Sequence, residues 1–267
     1  MEAASLFVCL ECGGAGLEQG SRSLTCPSCR ARYPEDSGHY DLLDIKNRGE
    51  PTPATAEQRL MESELVARLY DRTFRPAFVR LLGGRGAAKN AGGLAGEFFI
   101  YKNALGIEDR PGPWLDLSCG TGTLTRALAG AAPGDWVIGL DISRPMLEVA
   151  GSRLRGYGNT LLARADAHEL PLADETIGGS IIASALHVYD DPERVFHELF
   201  RVLIPGGVFV GQAFHHKASM FHRLAGQIGG IRRFDPYELR GWLSRVGFVD
   251  YEEIRLGGSF IFRLRKP

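Results

Sequence analysis

A chain of 267 residues is long enough to bury a full core and to hold one large domain plus something small. Its 31 basic residues nearly balance 32 acidic ones, leaving a formal charge of −1, so no global field draws it to nucleic acid or to an anionic membrane. No run approaches about eighteen consecutive apolar residues, and the start lacks a basic segment backed by an apolar one. That reads as a soluble, cytoplasmic protein with no membrane partner.

In chain order, the first expected element is a small module over residues 1–45. Four of the five cysteines lie there, as Cys9-x2-Cys12 and Cys26-x2-Cys29. Each CxxC pair forms a tight knuckle offering two thiolates from one turn, which suits a tetrahedral, structural zinc site. Without a secretory leader, two disulfides are the poorer reading. His39 stands nearby as a possible substitute ligand, but the four thiols already fill the shell. Residues 46–110 read as a linker (Lys46 to Pro53) followed by helical segments. Leu60, Leu65, Val66 and Leu69 recur at helical spacing, and so do Phe74, Phe78, Leu81 and Leu82. A glycine-rich loop from Gly83 to Gly93 precedes a short helix over Leu94–Leu105.

From residue 111 to 267 the pattern alternates. Strands are expected at Trp114–Leu117, Trp136–Leu140, Leu161–Ala165, Ile177–Ser184, Val208–Phe214, Phe248–Ile254 and Ser259–Leu264. Ser143 should cap a helix over Arg144–Leu154. Asp191-Pro192 should open Glu193–Leu203, and Asp235-Pro236 should open Tyr237–Val246. Pro205-Gly206-Gly207 reads as a breaker before the next strand. The fold class that follows is α/β: a doubly wound, seven-stranded, Rossmann-like sheet with a helical lid and a small N-terminal zinc ribbon, its ligand at the carboxyl ends of the strands. The last two strands should form an antiparallel hairpin.

The residues that carry chemistry sit on this frame. Leu115-Asp-Leu-Ser-Cys-Gly-Thr-Gly122 is a strand running into a glycine turn, and Asp141 ends the next apolar run. Gly120 and Gly122 let backbone approach a ligand, and an acid after the second strand can accept from both ribose hydroxyls. This is a nucleoside half-site. A dinucleotide-binding dehydrogenase would want a third glycine, and Thr125 occupies that slot.

These motifs, in their order, resemble the class I S-adenosylmethionine-dependent methyltransferases. The resemblance rests on Asp116 to Gly122, Asp141, Ala165-Asp166-Ala167, Asp174 to Ile177 with Ser184 to His187, and Arg201 to Gly207. Ser118 departs from it, since glycine is commonest there, and is expected to keep ordinary dihedrals. The resemblance implies S-adenosylmethionine as cofactor. Asp141 would then accept from the ribose, Asp166 from the adenine amino group with Ala167 donating from its backbone, and Ile142 and Met146 would flank the adenine. Asp116, Ser118 and Gly120 would face the amino-acid end, with Cys119 packed beside the cofactor and Tyr70 on the lid above it. If the acceptor must lose a proton, His187 and Tyr189 after the fourth strand, and His215 and His216 after the fifth, are the candidate bases.

The ribbon together with Tyr40 to Leu43, Leu69 to Arg72 and Ala185 to Val188 resembles zinc-ribbon methyltransferases related to uncharacterised chloroplast proteins and to bacterial natural-product O-methyltransferases. That implies O-methylation of a hydroxyl or enol on a small-molecule acceptor in secondary metabolism, such as antibiotic biosynthesis. Ribosomal RNA guanine N-methyltransferases share a ribbon and are the alternative, and a non-catalytic cofactor-binding protein is a third reading. Arg22, Arg30 and Arg32 lie in the ribbon, but no extended basic run with interleaved aromatics supports a nucleic-acid partner.

Overall fold

Apolar runs separated by capped helices build one continuous twisted sheet. The structure, a computed structural model, describes residues 2–43, 56–77, 93–215 and 232–267. The expectations for residues 46–55 and 78–92, and for His216, lie outside these. The ribbon supplies β1 (Glu18–Gln19), β2 (Ser23–Thr25), β3 (Arg32–Asp36) and β4 (His39–Asp41). The main body supplies β5 (Trp114–Leu117), β6 (Val137–Asp141), β7 (Thr160–Arg164), β8 (Ile177–Ile182), β9 (Leu203–Phe214), β10 (Val249–Leu256) and β11 (Ser259–Arg265). The helices are α1 (Ala56–Met61), α2 (Glu64–Leu69), α3 (Gly93–Leu105), α4 (Thr123–Ala131), α5 (Arg144–Leu154), α6 (Pro192–Val202) and α7 (Pro236–Val246).

The strand order is β1-β2-β3-β4-β7-β6-β5-β8-β9-β11-β10. Strands β7, β6, β5, β8 and β9 run parallel, and β11 is antiparallel to both β9 and β10. β5 and β8 are buried on both faces, as a parallel strand covered by helices on each side must be. One face buries Tyr101, Leu105, Trp114, Leu128 and Val208; the other buries Phe196, Leu199, Phe209 and Leu243. The order reverses between β5 and β8. A crevice opens at such a switch point because consecutive connections leave on opposite faces.

The expected doubly wound frame is present, with three local differences. First, the sheet does not stop at seven strands. β4 pairs parallel with β7 (Tyr40↔Ala163, Asp41↔Arg164), so the ribbon continues the sheet and covers its edge to eleven strands. Second, Pro205-Gly206-Gly207 does not precede the strand; β9 runs through it. Gly206 adopts φ +79, and the backbone groups of Gly206 and Gly207 pair with Lys266 at 2.9 Å each, so the strand continues where a break was expected. Third, Ser143 precedes α5 as expected but does not cap it. Its hydroxyl donates to the Met61 carbonyl at 2.9 Å, tying the lid helices to the body. Asp191 and Asp235 do cap α6 and α7 with their carboxylates. Among the described residues no helix is long and apolar enough to cross a membrane.

Two glycines let the ribbon dock. A Cβ on Gly151 of α5 would sit 2.4 Å from the Ser37 carbonyl, and one on Gly38 would sit 3.0 Å from the Gly151 Cα. Both obstacles are backbone. Gly151→Ala is therefore expected to destabilise the fold by about 1–3 kcal/mol, read as a lowered denaturant midpoint at unchanged slope.

Candidate functional site

A cavity of about 390 Å³ lies at the switch point, over the carboxyl ends of β5 and β6. Asp116, Ser118, Gly120 and Asp141 line it from the sheet, and Tyr70, Asp71, Arg75, Glu97 and Tyr101 line it from the lid and α3.

The glycine turn has three left-handed residues: Ser118 (φ 59), Gly120 (φ 53) and Gly122 (φ 71). Ser118 thus departs from the ordinary dihedrals expected of it. A left-handed non-glycine residue costs about 1–2 kcal/mol. The hydroxyl that comes with the strain is used, because Ser118 Oγ meets Tyr189 Oη at 2.6 Å on the cavity wall. At Gly120 a Cβ would meet nothing within 4 Å, so that space belongs to the cavity. Gly122 does not line it. A Cβ there would lie 2.9 Å from Ala150 Cβ, so this glycine serves the packing of α4 on α5.

Asp141 organises the turn. Its Oδ2 accepts from the Gly120 N–H at 2.7 Å and its Oδ1 from the Ser143 N–H at 2.9 Å. Burial raises its carboxyl above the usual range, while N–H donors from Ser143, Gly120 and Ile142 pull it back. Asp116 accepts from Thr125 Oγ1 at 2.6 Å; burial pushes its carboxyl up to about 7, opposed by Thr125 and assisted by the Asp141 charge. Cys119 is buried, with its thiol pushed far up by burial. Ile142 and Met146 line the cavity beside Asp141.

The chain was compared with known proteins. A methyltransferase-domain family model matches residues 115–211, which span this site. An uncharacterised chloroplast methyltransferase of Arabidopsis thaliana is 29% identical over 100% of this chain and 80% of its own length. A demethylmenaquinone methyltransferase of Thermus thermophilus is 38% identical over 107 residues, 40% of this chain and 49% of that protein. In structure, a Haemonchus contortus phosphoethanolamine N-methyltransferase with bound S-adenosylhomocysteine overlays with a TM-score of 0.61 at 18% identity. The overlay covers 78% of this chain and 60% of that one, and at such identity it speaks for the fold alone. Over residues 115–211 the chain carries a methyltransferase domain of the class I S-adenosylmethionine-dependent kind.

In this methyltransferase several expected site residues sit away from the cavity. The Asp166 Oδ1 accepts from the backbone N–H of His168 at 2.9 Å and lies 2.7 Å from His168 Nδ1, and neither Asp166 nor Ala167 lines the cavity. The signal at the end of β7 is sound as a strand end, but its carboxylate serves a local turn. His187 is buried, its ring edge against Phe214 with centroids 5.1 Å apart, and it does not line the cavity. His215 packs on Phe260 at 6.2 Å and bridges to Phe234, also off the wall. Both histidines follow their strands as expected, yet His187 turns its ring into the core and the half-buried His215 turns its ring onto Phe260.

Other groups on the wall were not read from the sequence. Asp71 Oδ2 accepts from Thr121 Oγ1 at 2.8 Å, Thr123 Oγ1 at 3.2 Å and Arg153 Nη2 at 2.7 Å, latching the lid to the glycine turn and to α5. Burial would raise the Asp71 carboxyl, but Thr121 and Arg153 outweigh it and hold it low, so the latch is ionic at neutral pH. Glu97 is buried and accepts from Arg75 at 2.9 Å, Tyr101 at 3.1 Å and Gln212 at 3.3 Å. Ser184 Oγ donates to Gln212 in turn. The sequence does hold a signal for Glu97: it is a lone acid in an aromatic helix, one turn before Tyr101.

In the ribbon, one sulfur from each of Cys9, Cys12, Cys26 and Cys29 lies within 4.8 Å of the others. Cys9–Cys29 and Cys12–Cys26 approach to 3.5 and 3.7 Å, near the ~3.8 Å edge of a tetrahedron with metal–sulfur bonds of about 2.3 Å. Each knuckle is closed by backbone bonds, Gly13 N to Cys9 O at 2.8 Å and Arg30 N to Cys26 O at 3.0 Å. His39 takes no part in this cluster; it is fully buried in β4.

Proposed function

We propose that this methyltransferase methylates a small hydroxylated or enolic acceptor on oxygen, and that Cys9, Cys12, Cys26 and Cys29 hold a structural zinc ion. The observation carrying the first part is the shape of the cavity. One volume of about 390 Å³ is lined both by the nucleoside residues Asp116, Gly120 and Asp141 and by Arg75, Glu97, Tyr101 and Ser184. Such a volume suits a small molecule, given the ~300–1,000 Å³ typical of small-ligand sites. Arg75 Nη1 is buried without a hydrogen-bond partner, a donor for which an acceptor's oxygen is a fitting ligand. The quinone-ring substrates named for the Thermus relative and for a naphthoquinone methyltransferase of Thermosynechococcus vestitus, 32% identical over 130 residues, make hydroxylated aromatics the first acceptors to try.

S-adenosylmethionine supplies a sulfonium-activated methyl group when bound. The chain's own residues bind, orient and exclude water. Asp141 accepts from the ribose, Ile142 and Met146 flank the adenine, Asp116 with the turn at Ser118 and Gly120 faces the amino-acid end, and Tyr70 covers it. His168 engages only the Asp166 Oδ1, so its Oδ2 would be the oxygen that accepts from the adenine amino group. With the His187 ring in the core and His215 packed on Phe260, Glu97 is a buried carboxylate on the wall that the acceptor could meet. The zinc would fill its shell with four thiolates, leaving no open position for catalysis. A set of free thiols fits a reducing compartment such as the cytoplasm.

Calorimetric titration with S-adenosylmethionine, followed by labelled-methyl transfer to a panel of phenols, naphthoquinols and ribosomal RNA, tests this reading. Transfer to RNA alone overturns it in favour of the RNA-modifying alternative. A pH series on the cofactor titration tests Asp116. Its carboxyl titrates at about 7, and a cationic ammonium favours the ionised form. Affinity should therefore rise with pH through about 7 and level off above it, with proton release on binding below that point. A flat profile removes Asp116 from the amino-acid end.

A further inference from the structure

Arg164 is the one guanidinium of β7 and is almost wholly enclosed, with its side chain 7% exposed. It links the ribbon to the wall of the cavity. On one side Asp41 of the ribbon lies 3.5 Å from its Nη1, and the Leu42 N–H donates to the Arg164 carbonyl at 2.9 Å. On the other side its Nε donates to the Ile142 carbonyl at 2.9 Å. Ile142 follows Asp141 and lines the cavity. The next residue repeats the link, since the Ala165 N–H donates to the Asp141 carbonyl at 2.9 Å. A second path runs through α5. Arg144, at its first turn, donates to Asp36 and to Asp41 of the ribbon at 2.9 Å each, immediately after Ser143, whose N–H holds the Asp141 carboxylate.

We infer that the ribbon is a brace for the nucleoside wall, with Asp41, Arg164 and Arg144 as positioning residues that fix the peptides of Asp141 and Ile142. Among the described residues, none from the ribbon lines the cavity. The coupling works because an enclosed guanidinium keeps its place only while its partners hold it, and Asp41 is one of them. When the ribbon leaves, Arg164 loses Asp41 and the β4 pairing, and turns toward water. The Ile142 carbonyl then loses its donor, and the carboxylate beside it loses its fixed orientation. The four thiols hold the ribbon's knuckles, while Leu6, Phe7, Leu24, Cys26 and Leu172 share one apolar cluster. Loss of a metal at the thiols therefore reaches the cofactor wall through the fold. The inference rests on the cofactor reading for its ligand, and on the zinc reading only for the metal arm of its test.

The experiment measures the dissociation constants of S-adenosylhomocysteine and of 5′-methylthioadenosine, which lacks the amino-acid end, by calorimetry on the full chain. Zinc content is read on each sample. Asp41→Asn is expected to keep its metal and its thermal transition but to bind both ligands roughly tenfold more weakly, with Asp41→Glu recovering part of the loss. In turnover assays the KM for the methyl donor should rise at little-changed kcat, which loss of folded protein would not produce. Stripping the metal from the wild type should weaken both ligands at least as much, and zinc should restore them. Wild-type binding of both ligands by Asp41→Asn overturns the brace, and so does unchanged binding by the stripped protein. If the wild type binds neither ligand, the cofactor reading fails instead. If it carries and takes up no zinc, the zinc reading fails and the Asp41 variants decide the brace alone.

Discussion

Asp141→Ala should bind S-adenosylmethionine roughly a hundredfold more weakly than the wild type, a loss of ~3 kcal/mol from two charge-assisted hydrogen bonds to the ribose. The change is large because the carboxylate serves twice. Before any ligand arrives it holds the N–H of Gly120 at 2.7 Å and that of Ser143 at 2.9 Å, which shapes the turn and starts α5. Alanine removes both anchors and the ribose acceptor together. Asp141→Asn separates the two roles: its amide oxygen can keep the Ser143 bond, while the NH2 group faces the Gly120 N–H as donor against donor. Asparagine should therefore preserve thermal stability better than alanine and still bind cofactor poorly. Calorimetry on both variants checks this, and an Asp141→Ala protein of wild-type affinity would falsify the ribose assignment.

Elements whose signals are local were legible in the chain. β5 begins and ends where its apolar run does, α5 spans the expected Arg144–Leu154, and Asp191-Pro192 and Asp235-Pro236 start the two helices they were expected to start. The four thiols were legible for the same reason, since a knuckle is a few residues of turn. Asp116, Gly120 and Asp141 were legible because strand ends beside one another in sequence order lie beside one another in the sheet.

What failed to show were facts of long-range convergence. The wall over the donor site joins Asp71, Glu97 and Thr121, held from behind by Arg153 and Gln212, and no period or spacing connects them. His187 reads as a base from its strand-end position, but its ring direction is set by space beside Phe214. Gly122 reads as part of the ligand cradle, whereas Ala150, from the next helix, demands it. Ser118 looked like a tolerated exception; its partner Tyr189 lies 71 residues away. The docking of the ribbon on β7 was hidden likewise, because a two-residue pairing on a sheet edge leaves no mark beyond Gly38 and Gly151.

Glu97 is where stability and turnover should come apart most clearly. Its carboxylate accepts from Arg75, Tyr101 and Gln212 inside a closed wall. Burial and the nearby Glu97 charge keep the Tyr101 hydroxyl protonated far above neutral pH, so that bond persists over the working range. Glu97→Ala leaves a largely enclosed guanidinium without its partner, which should cost about 2–4 kcal/mol in a denaturant melt if Arg75 stays in place. Arg75 sits on the lid segment, however, and can swing outward, which would convert part of that cost into an opened lid. Replacing both partners by apolar residues, Arg75→Met with Glu97→Leu, removes the unpaired charge and should recover most of the stability, since an apolar pair of similar volume replaces an ion pair at little net cost. Turnover should not recover, because the wall then presents neither a carboxylate nor a guanidinium to the acceptor. Cofactor affinity should fall far less than turnover in the double variant, since Arg75 reaches the donor site through its charge on Asp116. A double variant that regains turnover along with stability would show the pair to be only a strut for the lid.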